Sequence, residues 1–409
     1  MADQQDWSEL TEDLLCTIGR RLITLQDLIR ARAVCPSWRR ALLAEQQRRF
    51  PSTQWLMLPH CTSKFMNRTA AAAMIGCKGS DNCRCFYDAA AQQFHHIEFP
   101  PGSHNRATCR GSAFGWLFMT GQTPCISLIN PLTGAEIPLP PITSFPGVIA
   151  YRPEKVGLEY LLLADDGFTM AYGKKYIEKS YICKVAMSAE PTAAEDCTVM
   201  AIRFNDDYRL AICNPKAESW TLLSDRGIAF QDVVFWKGQF HILDFYARLM
   251  VCDLSVPHRP KLSLVLDLPY HRQITALDHY LVVCPAALGG GRERTYWTSE
   301  FRVFELNEEE GGGWDKVESI GDFALFLGSN TPAFVSTLDR PGLARNSIYF
   351  TDNLSECHSK NSSGHDMGIY DLATGAVQPL YCTASLHKNP LLISPWPVWF
   401  FPSSTTTVN

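Results

Sequence analysis

Repeated pairs of short apolar runs are the sequence feature that most restricts the fold of this chain. Each run ends in a turn-forming polar residue and is usually followed by a second short run. The first members lie at 85–88, 128–131, 212–215, 251–254, 303–306 and 369–372. Aromatic and β-branched residues set between Gly, Pro, Asn and Asp are typical of strands joined by turns. The sequence therefore predicts an all-β architecture built from many hairpins.

The spacing of these runs predicts a β-propeller. The runs recur at intervals of roughly 40 residues, as in propellers with one four-stranded blade per repeat. One interval, between Asn130 and Asn214, is about twice as long and is expected to hold a degenerate unit. The last two intervals are longer and imply insertions. We expect residues 51–409 to form one propeller of seven blades, with six or eight as the alternatives.

Residues 1–50 follow a different, helical period, and three short helices are expected there. Thr11 is placed to cap the first helix, and Gly19 is placed to end it. The apolar positions of the three helices lie mostly three or four residues apart. They are Leu10, Leu14, Leu15, Ile18 and Leu22 in the first, Leu25, Leu28 and Ile29 in the second, and Val34, Cys35 and Trp38 in the third.

A unit of about fifty residues cannot bury all of these side chains by itself, because small units bury a low fraction of their surface. Apolar surface should therefore remain for another protein. Residues 16–50 also carry eight arginines against Asp27 and Glu45. A basic helical face of this kind suits an acidic partner or solvent.

The N-terminal segment resembles an F-box. The most specific part of the likeness is its ending, Val34-Cys35-Pro36-Ser37-Trp38-Arg39. Thr11 stands where the F-box pattern has a proline. The resemblance implies that the eleven apolar residues named above form the F-box core and a surface for a Skp-type adaptor, which connects to a cullin. The pattern alone does not divide those two roles.

The rest of the chain is similar to plant F-box proteins that carry a kelch-like propeller. The likeness is carried by several motifs in order, among them 130–134 (Asn-Pro-Leu-Thr-Gly), 232–238, 324–328, 346–350 and 396–399. It implies a substrate-recognition subunit of an SCF (Skp-cullin-F-box) ubiquitin ligase. The propeller would hold an unidentified protein target for ubiquitination and proteasomal degradation, and the chain itself would not be an enzyme.

Two alternatives remain open. The helices could be only a structural cap on a scaffold or ligand-binding propeller, and Thr11 supports that view. A propeller enzyme would need titratable residues gathered at the central channel. The ligase hypothesis predicts that replacing Leu14 and Leu15 by Asp abolishes adaptor binding and leaves the propeller folded.

Composition argues against several other classes. A net charge of −5 gives no general attraction to nucleic acid or to an anionic membrane, so neither is expected as a partner. The acidic start has no apolar core of a signal peptide, and no apolar run is long enough to span a membrane. We therefore expect a cytoplasmic or nuclear protein whose fifteen cysteines are reduced thiols.

No cofactor is expected, and the best metal candidate is weak. Cys77, Cys83 and Cys85 precede His95 and His96. Structural zinc usually has two pairs of ligands at set spacings, whereas adjacent histidines on a strand point to opposite faces. Core thiols are the preferred interpretation. The tryptophans at 116, 220, 236, 297 and 314 are expected to pack mainly between blades, and no substrate-binding residue is assigned.

Overall fold

The computed structural model of the chain begins with helices and continues with strands. It describes residues 7–22, 25–49, 54–58, 82–99, 107–121, 123–164, 167–191, 197–205, 207–223, 228–246, 248–254, 261–267, 274–277, 280–283, 286–288, 296–298, 300–306, 314–338, 340–351, 367–380 and 397–402.

The N-terminal helices follow a 3-10 turn at Trp7–Glu9. They are α1 (Glu12–Arg21), α2 (Leu25–Arg32) and α3 (Pro36–Arg49), and together with the turn they are called the helical module. Thr11 is the N-cap of α1, and its carbonyl accepts the N–H of Leu15 at 3.0 Å, while the described residues show no capping bond from its side chain. None of the described helices is long and apolar enough to cross a membrane.

Gly19 does not end α1, contrary to the sequence-based expectation. The helix continues to Arg21, and Gly19 is buried against α3. A Cβ atom at this position would lie 2.6 Å from Cδ2 of Leu42, closer than real contacts allow. The glycine therefore lets two helices approach closely, a role that a helical period cannot reveal.

The described strands run from Trp55 to Phe400. The first half comprises β1 Trp55–Met57, β2 Cys83–Asp88, β3 Gln93–Glu98, β4 Thr108–Ala113, β5 Trp116–Thr120, β6 Ile126–Ile129, β7 Glu136–Leu139, β8 Val148–Tyr151, β9 Tyr160–Leu163, β10 Thr169–Tyr172, β11 Ile182–Met187, β12 Val199–Asn205, β13 Asp207–Cys213, β14 Thr221–Leu222 and β15 Phe230–Trp236. A 3-10 turn at Ile142–Ser144 precedes β8, and a short α-turn (Lys174–Tyr176) with a π-turn (Ile177–Tyr181) precedes β11.

The second half completes the sheets. It comprises β16 Gln239–Asp244, β17 Arg248–Asp253, β18 Lys261–Asp267, β19 Ile274–Leu277, β20 Tyr280–Val283, β21 Ala286–Leu288, β22 Tyr296–Thr298, β23 Arg302–Leu306, β24 Trp314–Val317, β25 Phe323–Leu327, β26 Ala333–Ser336, β27 Ser347–Phe350, β28 Gly368–Asp371, β29 Val377–Gln378 and β30 Val398–Phe400.

Small, mostly antiparallel sheets form from neighbouring strands, as expected of a propeller-like domain. In the described residues they are sheet A (β3-β2-β1-β30), sheet B (β4 to β7), sheet C (β10-β9-β8), sheet D (β11 to β14), sheet E (β15 to β18), sheet F (β19-β20-β23-β24), sheet G (β26-β25-β27-β28-β29) and a β21–β22 hairpin. The only parallel pairing among them joins β25 and β27.

Sheet A closes the domain by combining both ends of the chain. The C-terminal strand β30 pairs with the first strand β1, so that Trp55 lies opposite Phe400. Trp399 then packs edge-on against Phe326 of sheet G, with ring centroids 4.9 Å apart. Joining first and last strands within one sheet protects edges that would otherwise be open.

The polar residue of four of the six repeated runs has a common local role. Asp88 accepts the backbone N–H groups of the next turn through Oδ1, as do Asn130 and Asp371. Asn214 does the same with the N–H of Lys216 at 2.9 Å. Asp and Asn favour such turns because their side chains replace a backbone acceptor. The repeat in the sequence is therefore a repeat of the turn that joins the two outermost strands of a sheet, as in β2–β3, β6–β7, β13–β14 and β28–β29.

Sheet C differs from the other sheets. It occupies the long interval predicted to hold a degenerate unit, and it has three strands. Strand β4 of sheet B contacts β11 of sheet D directly, without an intervening strand of sheet C. Buried clusters likewise join A with B, B with D, D with E, F with G, and G with A.

Candidate functional site

The helical module has a small core of its own. Among the described residues it consists of five buried side chains drawn from all three helices: Leu15, Leu28, Trp38, Ala41 and Leu42. The indole N–H of Trp38 also donates to the carbonyl of Trp7 at 2.8 Å, which ties the first turn to α3. Leu15, Leu28 and Trp38 are therefore occupied inside the module.

Two of the predicted adaptor-binding residues face outward instead. Leu14 is 52% exposed and Val34, in the turn between α2 and α3, is 58% exposed. Leu14 directly precedes the buried Leu15, and successive helical residues point about 100° apart. Neither side chain has a polar group that would favour contact with water. They form the apolar surface that a partner of this module could cover.

Four further predicted residues lie at the margin between core and surface. Leu10, Ile18, Leu22 and Cys35 are half-buried and pack against the module core. Leu14 and Ile18 lie four positions apart and therefore share one face of α1. Leu25 begins α2, and its side chain lies outside the described residues.

Ile29 has a role that the sequence did not indicate. It is 3% exposed and belongs to a buried cluster with Trp55 and Phe400 of sheet A and Leu117 and Ile129 of sheet B. The side chain thus leaves the module and packs into the propeller. Ile29 connects the two regions and is not available to an adaptor.

Arginines give the module a basic surface. Arg20 pairs with the buried Glu45, with 3.2 Å between Nε and Oε1. Arg32 is itself buried, and its pKa is lowered by that burial and by the nearby Arg39. Among the side chains of the module that the structure describes, the exposed arginines are Arg20, Arg21, Arg30 and Arg40. An acidic partner would be attracted by this charge, and the attraction would weaken with salt.

The centre of the propeller holds a buried ion pair. Nζ of Lys184 lies 3.2 Å from Oδ1 of Asp232 and donates to the carbonyl of Gly328 at 2.9 Å. The N–H of Thr331 donates to the carbonyl of Ser112 at 3.0 Å. Sheets B, D, E and G are thereby joined at one place. The two charges neutralise each other, and the Lys184 ammonium also donates to a backbone carbonyl. The pair therefore has a structural role.

A second buried carboxyl group lies beside the central strands. The hydroxyl of Thr108 donates to Oε1 of Glu178 at 2.8 Å, and Nε of Arg110 donates to the carbonyl of the same residue at 3.1 Å. Burial raises the pKa of Glu178, and the bond from Thr108 opposes that rise. Glu178 lies in the π-turn before β11, so these bonds hold the turn against β4.

The cysteine and histidine candidates lie on two paired strands. Cys83 and Cys85 are buried in β2, and His95 and His96 lie in β3, while Cys77 is outside the described residues. His95 stacks on Trp55, with centroids 4.4 Å apart, whereas Nδ1 of His96 lies 3.9 Å from Sγ of Cys83. The two histidines thus have different neighbours. The part of the chain that the structure describes contains no group of three or more His, Cys, Asp or Glu placed to hold a metal ion.

Two tryptophans pack between sheets as predicted. Trp116 is buried beside sheet C, and Trp220 stacks on Phe145 with centroids 4.4 Å apart. The indole N–H of Trp220 donates to the carbonyl of Pro140 at 2.8 Å. Trp236 and Trp314 are half-buried, and the side chain of Trp297 lies outside the described residues.

Comparison with known proteins gives a consistent result. A sequence model of the KIB1-4 β-propeller matches residues 86–371. A putative F-box protein of Arabidopsis thaliana is 23% identical over 397 residues, covering 95% of this chain and 97% of its own. F-box protein SKIP23 of the same plant is 22% identical over 426 residues, covering 96% and 95%. Both similarities extend across the helical module as well as the sheets.

Proposed function

Because the chain belongs to the KIB1-4 β-propeller family, as a plant F-box protein with a C-terminal propeller, we propose that it recognises substrates for an SCF ubiquitin ligase. Residues 1–50 would bind a Skp-type adaptor and, through it, a cullin. Residues 51–409 would hold a protein target for ubiquitination and proteasomal degradation. The setting would be the cytoplasm, the nucleus or both.

The outward placement of Leu14 and Val34 is the observation that carries this proposal. A module that buries Leu15, Leu28 and Trp38 still leaves two large aliphatic side chains in water. Covering them would remove apolar surface from water at about 25 cal/mol per Å². The half-buried Leu10 and Ile18 would extend this surface, and the exposed arginines would favour an acidic adaptor.

The proposed mechanism is proximity, and the chain supplies no chemical step. Joining adaptor and target on one protein makes the encounter between target and ubiquitin-conjugating enzyme effectively intramolecular. The packing of Ile29 into the propeller supports this mechanism. A module fixed to its target-binding domain limits the positions that the target can occupy.

The test is the binding of a purified Skp-type adaptor to full-length protein carrying Leu14→Asp. Leu15 is 1% exposed, so a change there would unfold the module and would confuse the result. Leu14→Asp should lower affinity by more than about 100-fold, because a charge would be buried in an apolar contact. Leu338→Asp, at a residue 74% exposed in the turn after β26, is the matched control and should bind normally. Equal binding by both variants and the wild type would refute the role of Leu14, and no binding by the wild type would refute the adaptor role.

The packing of Ile29 also favours a second candidate, in which the helices only cap the propeller. In that case the module would stabilise the domain and bind no adaptor. Wild-type protein that fails to bind any Skp-type adaptor, together with a propeller that loses stability when residues 1–50 are removed, would support the cap.

The number of blades remains a prediction, and we propose six around the axis. Direct contact between β4 and β11 supports this number, since it leaves sheet C outside the ring formed by sheets A, B, D, E, F and G. Six blades lie within the range expected from the sequence, although seven was the number preferred in the sequence analysis.

A further inference from the structure

Sheet C carries an unusual share of the exposed apolar surface. The structure describes seventeen exposed large hydrophobic residues, and six of them lie in this sheet and its loops: Ile149, Val156, Leu158, Leu163, Phe168 and Met170. Single exposed apolar residues need no explanation, whereas a contiguous set marks an interaction site. Sheet C is therefore the strongest candidate for a docking surface outside the helical module.

Both faces of sheet C are largely apolar, and the polar exception on the outer face is Thr169, opposite Leu163. Tyr160 and Leu162 of β9 point into the core between sheets B and D. The alternate residues Leu161 and Leu163 point away from it, and Ala150 lies opposite Leu161 on β8. A sheet with one face in water normally alternates apolar and polar residues, whereas a sheet covered on both faces is apolar throughout. The pattern indicates that the outer face is covered in use.

Strand β10 is an edge of sheet C among the described strands. Met170 lies directly opposite Leu162 and faces the same side of the sheet. Leu162 is 1% exposed, whereas Met170 is 46% exposed. The difference arises because β9 has a strand on each side, while β10 has one only on the side of β9 among the described strands. A strand laid along β10 would cover Met170.

The edge is held in shape before any partner binds. The carboxylate of Glu159, at the start of β9, accepts the backbone N–H of Lys174 at 2.9 Å. A Cβ on Gly173 would lie 2.7 Å from the carbonyl oxygen of Gly157, so the 152–159 loop packs tightly on the chain that follows β10. At the other end of β10, the N–H of Ala164 donates to the carbonyl of Phe168 at 2.8 Å. Such preorganisation lowers the entropy cost of binding.

Positive charge collects at one end of this sheet. Arg152 and Lys155 lie in the loop between β8 and β9, and Lys174, Lys175 and Lys179 follow β10. In the described part of these two segments the opposing acids are Glu154, Glu159 and Glu178. Glu159 and Glu178 are buried and hydrogen-bonded to Lys174 N and to the Thr108 hydroxyl. A strand laid along β10 would therefore meet basic side chains at this end.

We propose that sheet C is the target-docking surface, and that it takes an extended target segment as an added strand along β10. The segment would carry alternating apolar side chains and would be acidic where it passes the lysines. Backbone hydrogen bonds would supply affinity, and the side-chain contacts would supply selectivity, as in other cases of strand addition. This inference rests on the proposed role of the propeller in holding a target.

The first test uses four synthetic peptides that share the core Thr-Val-Thr-Leu-Thr-Val. Three Glu or three Lys are attached at either the N-terminus or the C-terminus, and binding to the full-length protein is measured by fluorescence anisotropy. One acidic peptide should bind at least about tenfold more tightly than its lysine counterpart, because complementary charge favours the correct partner. The terminus that works gives the strand direction. Equal binding by all four, or no binding at millimolar concentration, would overturn the proposal.

Variants of the sheet connect that binding to β10. Met170→Lys places at the edge the charge that proteins use to prevent strand pairing, and it should abolish peptide binding. Leu338→Lys is the control and should bind as the wild type does. Lys155→Glu with Lys175→Glu should reverse the preference toward the lysine peptide. Preserved binding by Met170→Lys, or an unchanged preference in the charge-reversed variant, would contradict the site.

Two controls distinguish a failure of the docking surface from a failure of the proposed function and from dimer formation. The Skp-type adaptor should bind Met170→Lys and wild type equally, so a failure of the peptide arm alone refutes the docking surface and spares the proposed function. A failure of wild-type adaptor binding refutes the proposed function itself. Sedimentation equilibrium should show a monomer. A dimer that Met170→Lys dissociates would mean that a second copy occupies the edge, and the target proposal would fall.

Discussion

The helical module and the propeller bury their apolar residues in different ways. Sheets A, B, D, E, F and G contact one another in a closed series, and β30 completes sheet A beside β1. The module has only a small core of five described side chains, and it leaves Leu14 and Val34 exposed while Ile29 packs into the propeller. The contacts among these six sheets thus form a closed series within one chain, whereas the module packs on the propeller through Ile29 and keeps apolar side chains exposed.

Exposed apolar residues occur in both regions. Of the seventeen exposed large hydrophobic residues that the structure describes, six lie on sheet C and its loops, three on the module, and eight on sheets B, E and G and their loops. An element that leaves apolar side chains exposed can bury them against a partner. On the proposed function, the module and sheet C would supply the binding surfaces, while the contacts among the other sheets supply stability.

The largest effect on stability is expected from Asp232→Ala in the propeller centre. The change would leave the Lys184 ammonium buried without its carboxylate and should lower the free energy of unfolding by about 3–5 kcal/mol. Urea unfolding followed by tryptophan fluorescence measures this. The double variant Lys184→Met with Asp232→Leu should recover most of the loss, and a double variant as unstable as the single one would contradict the structural role of the pair.

A somewhat smaller and more local effect is expected from Leu28→Ala in the module core. Loss of a fully buried leucine should cost about 3 kcal/mol. Hydrogen exchange should accelerate in α1, α2 and α3, and the amides of sheets D and E should keep their protection. Equal acceleration in helices and sheets would show that the two regions form one cooperative unit.

Ile29→Ala tests the connection between the regions. The substitution should cost about 2 kcal/mol, because it opens a cavity where the module meets sheets A and B. Proteolysis between Arg49 and Gln54 should become faster. Ile18→Ala, at a half-buried residue on the module alone, is the control and should leave that rate nearly unchanged. Equal cleavage of the two variants would count against the docking by Ile29.

The smallest expected effect is a pH dependence of amide exchange at the edge of sheet C. Backbone hydrogen bonds from Lys174 and Gly157 lower the pKa of Glu159 below its usual value. The stabilisation is therefore present above the ordinary glutamate pKa and is lost as pH falls through the lowered value. Exchange of the Lys174 amide, corrected for intrinsic rate, should accelerate over that acidic range. In Glu159→Gln the rate should not change over the same range; persistence of the pH dependence there would assign it to another group.

Local patterns were enough to predict the elements of this fold. The helical period of Leu10 to Trp38 and the repeated turns at Asp88, Asn130 and Asp371 correspond to real helices and real strand ends. Each of these signals depends on residues that are close together in the sequence, so it can be recognised without the tertiary structure. The likeness to plant F-box proteins with a propeller is confirmed by the propeller match at residues 86–371 together with F-box relatives that cover nearly the whole chain.

Relations between elements could not be predicted in the same way. Leu14 and Leu15 are both apolar helix residues, and only the position of α3 determines that one is buried and the other exposed. Gly19 resembles a helix end until Leu42 is placed against it. Ile29 continues the apolar face of α2, yet its neighbours in the buried cluster lie far away in the sequence, at 55–132 and 398–400. Long-range packing decides each of these cases.

The central claim is that the exposed surface of the module binds an adaptor while the propeller remains free for a target. Hydrogen exchange of the full-length protein, with and without a saturating Skp-type adaptor, tests it most directly. The account predicts slower exchange in α1 and around Val34, and unchanged exchange in β9 and β10 of sheet C. Protection of sheet C with an unaffected module, or no change in either region, would contradict it.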